Sequence, residues 1–124
     1  PFSNTLEMFE ADANMVRKIV QENAQAAVDG RHGILQISGL AYQFAIVDEK
    51  AVIKSITILG EPLINDKIYT VACPDYVVSK SEVYFGSDSP SSKYTGFEIT
   101  EVIIDAIKAA GTINPSRDGR MSIE

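Results

Sequence analysis

Tryptophan is absent from this chain, cysteine and histidine occur once each, and Lys and Arg are outnumbered by Asp and Glu, 11 to 17. The one cysteine, Cys73, cannot form an internal disulfide, so cysteine usage leaves a cytoplasmic and a secreted setting equally open. The one histidine, His32, stands beside glycines and Arg31 and reads as a solvated turn residue. No other His or Cys lies at metal-binding spacing, so no metal or other cofactor is expected in this chain. The formal charge of −6 repels phosphate backbones and anionic lipid, which argues against nucleic-acid and membrane-surface binding. No apolar run reaches the roughly 18 residues of a membrane span. The G-x-S-x-G, Walker A and G-x-G-x-x-G patterns are missing as well. Carboxylates are scattered among turns and helix ends, and no pair stands out as acid and base. Cys73 closes a β-type run with no activating base nearby, which reads as a buried, inert thiol.

What is present suits one domain. The 124 residues, 45% hydrophobic and 23% charged, can bury a core without disulfides or metals. The opening PFSNTLEMFE has neither an initiator Met nor a signal-peptide core, so a processed product or an excised piece of a longer protein is expected. Thr5 to Glu10 alternates as a short strand. Asp12 is a good helix N-cap, and Met15, Val16, Ile19, Val20, Ala24 and Ala27 follow as a 3.6-period stripe ending near Gly30. Arg17, Lys18, Gln21, Glu22 and Gln25 fall on the other face, which is expected to be solvated.

Short β-type runs follow over Ile34 to Ser38, Leu40 to Val47, Ala51 to Leu59 and Ile68 to Cys73, separated by Gly39, an Asp48-Glu49 turn and a Gly60 to Lys67 loop. Short polar turns between strands argue for antiparallel pairing rather than βαβ repeats. Lys80 to Gly96 is Ser-rich and without period, so it predicts a long surface loop, either the rim of a site or a disordered insert. Ile99, Val102, Ile103, Ala106, Ile107 and Ala110 predict a helix that packs on the sheet, with Thr100 as N-cap, an Ile99–Ile104 staple and Gly111 as its stop. RMSIE reads as a closing strand. The fold class expected is α/β of the α+β type: a mixed, largely antiparallel sheet with two main packed helices.

The stretch YTVACPDYVVSKSEVYF, Tyr69 to Phe85, joins a strand, a turn at Pro74-Asp75 and two adjacent aromatics, Tyr84 and Phe85. A strand that delivers a loop is a common way to build a site. With Phe2 near the start, these rings are the residues best suited to stacking on a planar ligand.

Four pieces in order, PFSNTLEMFEADANMVRKIVQENA, GRHGILQISGLAYQF, GEPLINDKIYTVACPDYVV and DGRMSIE, resemble the C-terminal domain of the 5′-nucleotidase family, which includes UDP-sugar hydrolases. That family's pattern runs P-F-G-N-T, G-x-L-Q-V-S-G-L, G-x-P-L-x-x-x-x-x-Y-x-V-A, then a closing G-R-I. The resemblance implies that residues 1–124 form most of a nucleoside-recognition domain. It also implies a partner, an N-terminal metallophosphoesterase domain with two divalent metal ions, that is absent from this chain. Two aromatic rings sandwich the base in the family. The first falls on Phe2 and the second, by count along N-D-F-L-A-x-G-G-D-G-Y/F, on Tyr84, with Phe85 as the neighbouring candidate.

Asp75 and an aromatic at 76 are kept, but Lys80, Ser81, Glu82 and Val83 replace the G-G-D-G turn, which implies a different loop path. The family's N-x-G-G-x-R segment lies upstream of Pro1. The expected function is nucleoside or nucleotide recognition within a phosphohydrolase acting on nucleoside 5′-monophosphates or related nucleotides, with no hydrolysis by this chain alone. A periplasmic or extracellular setting is implied by the resemblance only. The alternative is a non-catalytic structural or partner-binding module whose base pocket has decayed.

Overall fold

The computed structural model describes residues 4–31, 34–86, 92–111 and 118–124. Strand β1 (Thr5–Asp12) leads directly into helix α1 (Ala13–Asp29). The Asp12 carboxylate accepts the Met15 N–H at 2.8 Å, satisfying one of the donors that a helix start leaves open. Gly30, at φ 66°, closes α1 in the left-handed conformation that a side chain would disfavour. Both ends of α1 therefore follow the expectation.

The strands form two sheets rather than one. In the first, β1 lies between β5 (Ile68–Pro74) and β6 (Ser92–Glu98), all antiparallel. In the second, β2 (Leu40–Val47) and β3 (Lys50–Ile58) form a hairpin, with the two-residue β4 (Glu61–Pro62) on the β3 edge and β7 (Met121–Ile123) parallel to β2. The hairpin turns at Asp48 and Glu49, both at positive φ, as a two-residue turn that matches strand twist requires. The architecture is thus α/β with antiparallel and mixed sheets.

Helix α1 is the element both sheets share. Its Val16, Ile19, Val20 and Ala24 join Phe9, Ala11 and Tyr69 of the first sheet and Tyr42, Phe44 and Ala51 of the second in one buried cluster. Its polar face is not simply solvated, which corrects the expectation. Gln21 donates to the Ala51 carbonyl, and Gln25 accepts the Ala51 N–H and donates to the Glu49 carbonyl. The hairpin start is held on α1 by side-chain amides, a bond type that hydrophobic periodicity does not register.

The run Ile34 to Ser38 forms no strand. The buried Asn23 side chain accepts the Leu35 N–H at 2.7 Å and donates to the Leu35 carbonyl and to the Tyr42 hydroxyl, while Arg120 donates to the Ile37 carbonyl. Side chains supply partners that a neighbouring strand would otherwise provide.

The expected loop from Lys80 to Gly96 is also corrected, because described parts of it form regular elements. Asp75–Ser79 and Ser81–Tyr84 are one-turn helices, α2 and α3, and β6 occupies Ser92–Glu98. Backbone pairing with β1 makes β6 a strand although its sequence carries no apolar alternation.

Helix α4 (Ile99–Ala110) starts one residue before the expected Thr100 cap, where the Ile99 N–H donates to the Asn4 carbonyl at 3.0 Å. Among its described side chains, much of the stripe is not buried on a sheet. Val102, Ile103 and Ile104 are 39%, 52% and 45% exposed, and Phe97, just before the helix, is 58% exposed.

Candidate functional site

Strand β5 runs antiparallel to β1, so its C-terminal end lies beside the start of β1, with Pro74 opposite Leu6. Asp75 opens α2 there. Its carboxylate accepts the Tyr76 N–H at 2.8 Å and the Thr5 N–H at 3.3 Å, fastening the N-terminal end of the chain to the aromatic-bearing turn. An acidic residue in the first turn also suits the positive end of a helix. Ser79 donates to the Tyr76 carbonyl at 2.7 Å and the Lys80 N–H donates to those of Tyr76 and Val77, which closes α2.

Helix α3 then separates the two aromatics that the sequence leaves as alternatives. Successive residues of a helical turn point about 100° apart, and here one ring turns outward and the next inward. Phe85 is 2% exposed, with its ring 5.5 Å from that of Phe9. It is a core residue, which corrects its expected place among exposed stacking rings: the helical turn directs it onto the apolar cluster. Tyr84 stays partly exposed, and its ring meets the ring of Tyr76 edge-on at 6.2 Å and 69°. Tyr76 is itself 52% exposed. Desolvation first, and the neighbouring Tyr76 second, push the Tyr84 phenol above its ordinary pKa, so Tyr84 offers a neutral ring at physiological pH.

The four side chains that replace G-G-D-G fit without left-handed backbone, since neither Lys80 nor any residue of α3 has positive φ. The left-handed residue comes later, at Gly86 (φ 66°), where an added Cβ would sit 3.2 Å from a Glu22 carboxylate oxygen. Gly86 thus sets how closely the turn approaches α1.

Phe2 and His32 lie outside the described residues. The site described is therefore Asp75, Tyr76 and Tyr84 at the start of β1. Tyr76 is the residue that sequence reasoning left out. Its signal was present, since Asp75-Tyr76 stands where the family motif has D-F.

Cavities among the described residues lie elsewhere. One of about 900 Å³ runs between α1 and β3 and is lined by Arg17, Lys18, Glu22 and Lys54 among others. One of about 400 Å³, mostly apolar, lies between α1, β5 and the Leu35–Leu40 segment. Neither is lined by Tyr76 or Tyr84, so neither volume is the space those rings face.

Among the described residues no group of three or more His, Cys, Asp or Glu could hold a metal ion. Cys73 faces Glu7 across the β1–β5 pair; burial first and the Glu7 charge second push its thiol up to about 11, the signature of an inert sulfur. No described helix is long and apolar enough to cross a membrane.

The family model for the 5′-nucleotidase C-terminal domain matches residues 1–87. The chain belongs to that family. No curated protein matches it. Among solved structures, it is similar to a 5′-nucleotidase precursor from Thermus thermophilus, with TM-score 0.83 and 19% identity over 99% of this chain and 26% of that one. It is also similar to the NAD nucleotidase of Haemophilus influenzae, with TM-score 0.79 and 21% identity over 100% of this chain and 25% of that one. A third, the sulfate thiohydrolase of Thermus thermophilus in complex with glycerol, has TM-score 0.59 and 14% identity over 98% of this chain and 22% of that one. At these identities the likeness establishes the fold, and the variety of activities in the names shows that the fold alone does not choose a substrate. The chain spans about a quarter of the length of these relatives.

Proposed function

We propose that residues 1–124 are a single domain, the nucleoside-recognition part of a 5′-nucleotidase-like phosphohydrolase acting on nucleoside 5′-monophosphates or related nucleotides. The observation that carries this reading is Tyr84, partly exposed and braced by the edge of Tyr76, which by count along the family motif would take the place of its second ring. In this reading Tyr84 stacks on one face of the base, and Phe2, three residues before Thr5, supplies the other face. Two divalent ions on an N-terminal metallophosphoesterase domain would activate water and neutralise the phosphate. This chain's own residues would bind and orient, so that binding energy from the remote base holds the phosphate in place for attack. A periplasmic or extracellular setting belongs to the same proposal, and fractionation of cells making the complete protein tests it.

The direct test is a titration of adenosine and uridine against intrinsic tyrosine fluorescence, using the polypeptide of the complete reading frame. Loss of one stacking face is worth roughly 1 to 3 kcal/mol, so Tyr84→Ala should weaken binding roughly 5- to 150-fold. Robust turnover of AMP by the 124-residue chain with divalent metal would contradict the division of labour.

One observation favours a second reading, a module with a decayed base pocket. The glycine turn is replaced by α3, and Phe85 is committed to the core. For such a module neither nucleoside produces a saturable change, even in the longer polypeptide.

A further inference from the structure

We propose that the apolar face of α4 is the docking surface for the polypeptide segment that precedes Pro1 in the complete protein. Ile99, Val102, Ile103 and Ala106 recur at i, i+3, i+4 and i+7, the pattern of a helix that buries one side. Here Ile99 is partly buried but Val102, Ile103 and Ala106 stay exposed, and Phe97 extends that side. A 12-residue helix is too short to hold itself together in water, so an α4 with its stripe uncovered needs a partner.

Three observations choose the occupant. First, the Asn4 carbonyl accepts the Ile99 N–H and Thr5 pairs with Glu98, so polypeptide arriving at Asn4 emerges beside the first turn of α4. Second, the family is a C-terminal domain and this chain covers 25–26% of the two most similar relatives named above, and a C-terminal domain has the rest of its protein before it. Third, a second copy is disfavoured. Each copy carries a formal charge of −6, so two copies repel on approach. The exposed stripe specifies the chemistry of the occupant: apolar side chains that pack over Val102 and Ile103.

The inference rests on this chain being one part of a larger polypeptide, and is independent of what that polypeptide binds. Hydrogen exchange at the α4 amides tests it, comparing the 124-residue chain with the product of the complete reading frame. Exchange should slow by at least about 100-fold in the longer protein as the helix becomes part of a packed unit. Ile103→Asp should abolish that gain in the longer protein and leave the amides of α1 protected, and the milder Ile103→Ser should reduce it. Val52→Asp, on the exposed side of β3, should leave it intact. Equal α4 exchange in the two proteins would overturn the proposal. So would a reading frame with no coding sequence before Pro1, or protection of α4 in the short chain that rises with its own concentration in sedimentation, which would make the occupant a second copy. Nucleoside binding is read separately by fluorescence, so a failed base pocket with a protected α4 sinks the functional reading and leaves this one standing.

Discussion

Helices α1 and α4 carry nearly the same apolar periodicity, yet they have opposite fates. α1 is capped at both ends, tied to the hairpin by two glutamines and to the Leu35 segment by Asn23, and buried against both sheets. α4 keeps much of its stripe in solvent. Periodicity states that a helix has a side to bury. It does not state that the partner is present in the same stretch of chain.

That contrast can be broken or sharpened by substitution. Phe85→Ala opens a cavity in the cluster around α1 and should cost about 3 to 5 kcal/mol, read as a lower urea midpoint at unchanged m-value. Asn23→Ala would leave the Leu35 backbone groups and the Tyr42 hydroxyl without this partner, and should cost about 2 to 3 kcal/mol. Asp12→Ala removes the α1 cap and should cost about 1 kcal/mol. Ile103→Ser in α4 should change the stability of the 124-residue chain by no more than about 0.5 kcal/mol. If Ile103→Ser instead matched Phe85→Ala in the short chain, α4 would already be packed there and the contrast would fail.

Cys73 adds a pH-dependent check on the same core. Its folded thiol titrates near 11, above the ordinary thiol range, so the folded state retains a proton that the unfolded state has lost between about 8.5 and 11. Stability should therefore fall, not rise, across that window. Alkylation by iodoacetamide at pH 8 should be slower in the folded chain than in urea, because the reactive thiolate is scarce.

The parts of the fold that rest on local rules were legible beforehand. Asp12 and Gly30 announce the limits of α1, Asp48-Glu49 announces a turn, and the β-type runs at 40–47 and 51–59 announce the strands on either side of it. What stayed hidden depends on partners distant in sequence. β6 is a strand because β1 lies beside it, and Ile34 to Ser38 fails to be one because Asn23 and Arg120 take its backbone groups. At the site, Tyr84 and Phe85 are neighbours of one residue type, and nothing local says which faces out. Helical rotation through α3, itself unrecognised in a Ser-rich stretch, decides it. Tyr76 was visible only as a motif match, since its contact with Tyr84 spans a turn whose path the substituted glycines conceal.

The placement of β1 between β5 and β6 has a consequence for how the molecule comes into being. Of the strands described, the earliest in sequence is the central one of its sheet, yet Asp12 must wait for Ile68 and Thr5 for Glu98. The hairpin of β2 and β3, by contrast, can close as soon as it is made. Contacts between residues so far apart in sequence slow folding, because loop closure is costly before the contact rewards it. On a ribosome, the β2–β3 hairpin and α1 should assemble first, while β1 stays unpaired and exposed. Its neighbour β6 arrives close to the C-terminus, so a chain stalled before Ser92 leaves one edge of the central strand open to aggregation.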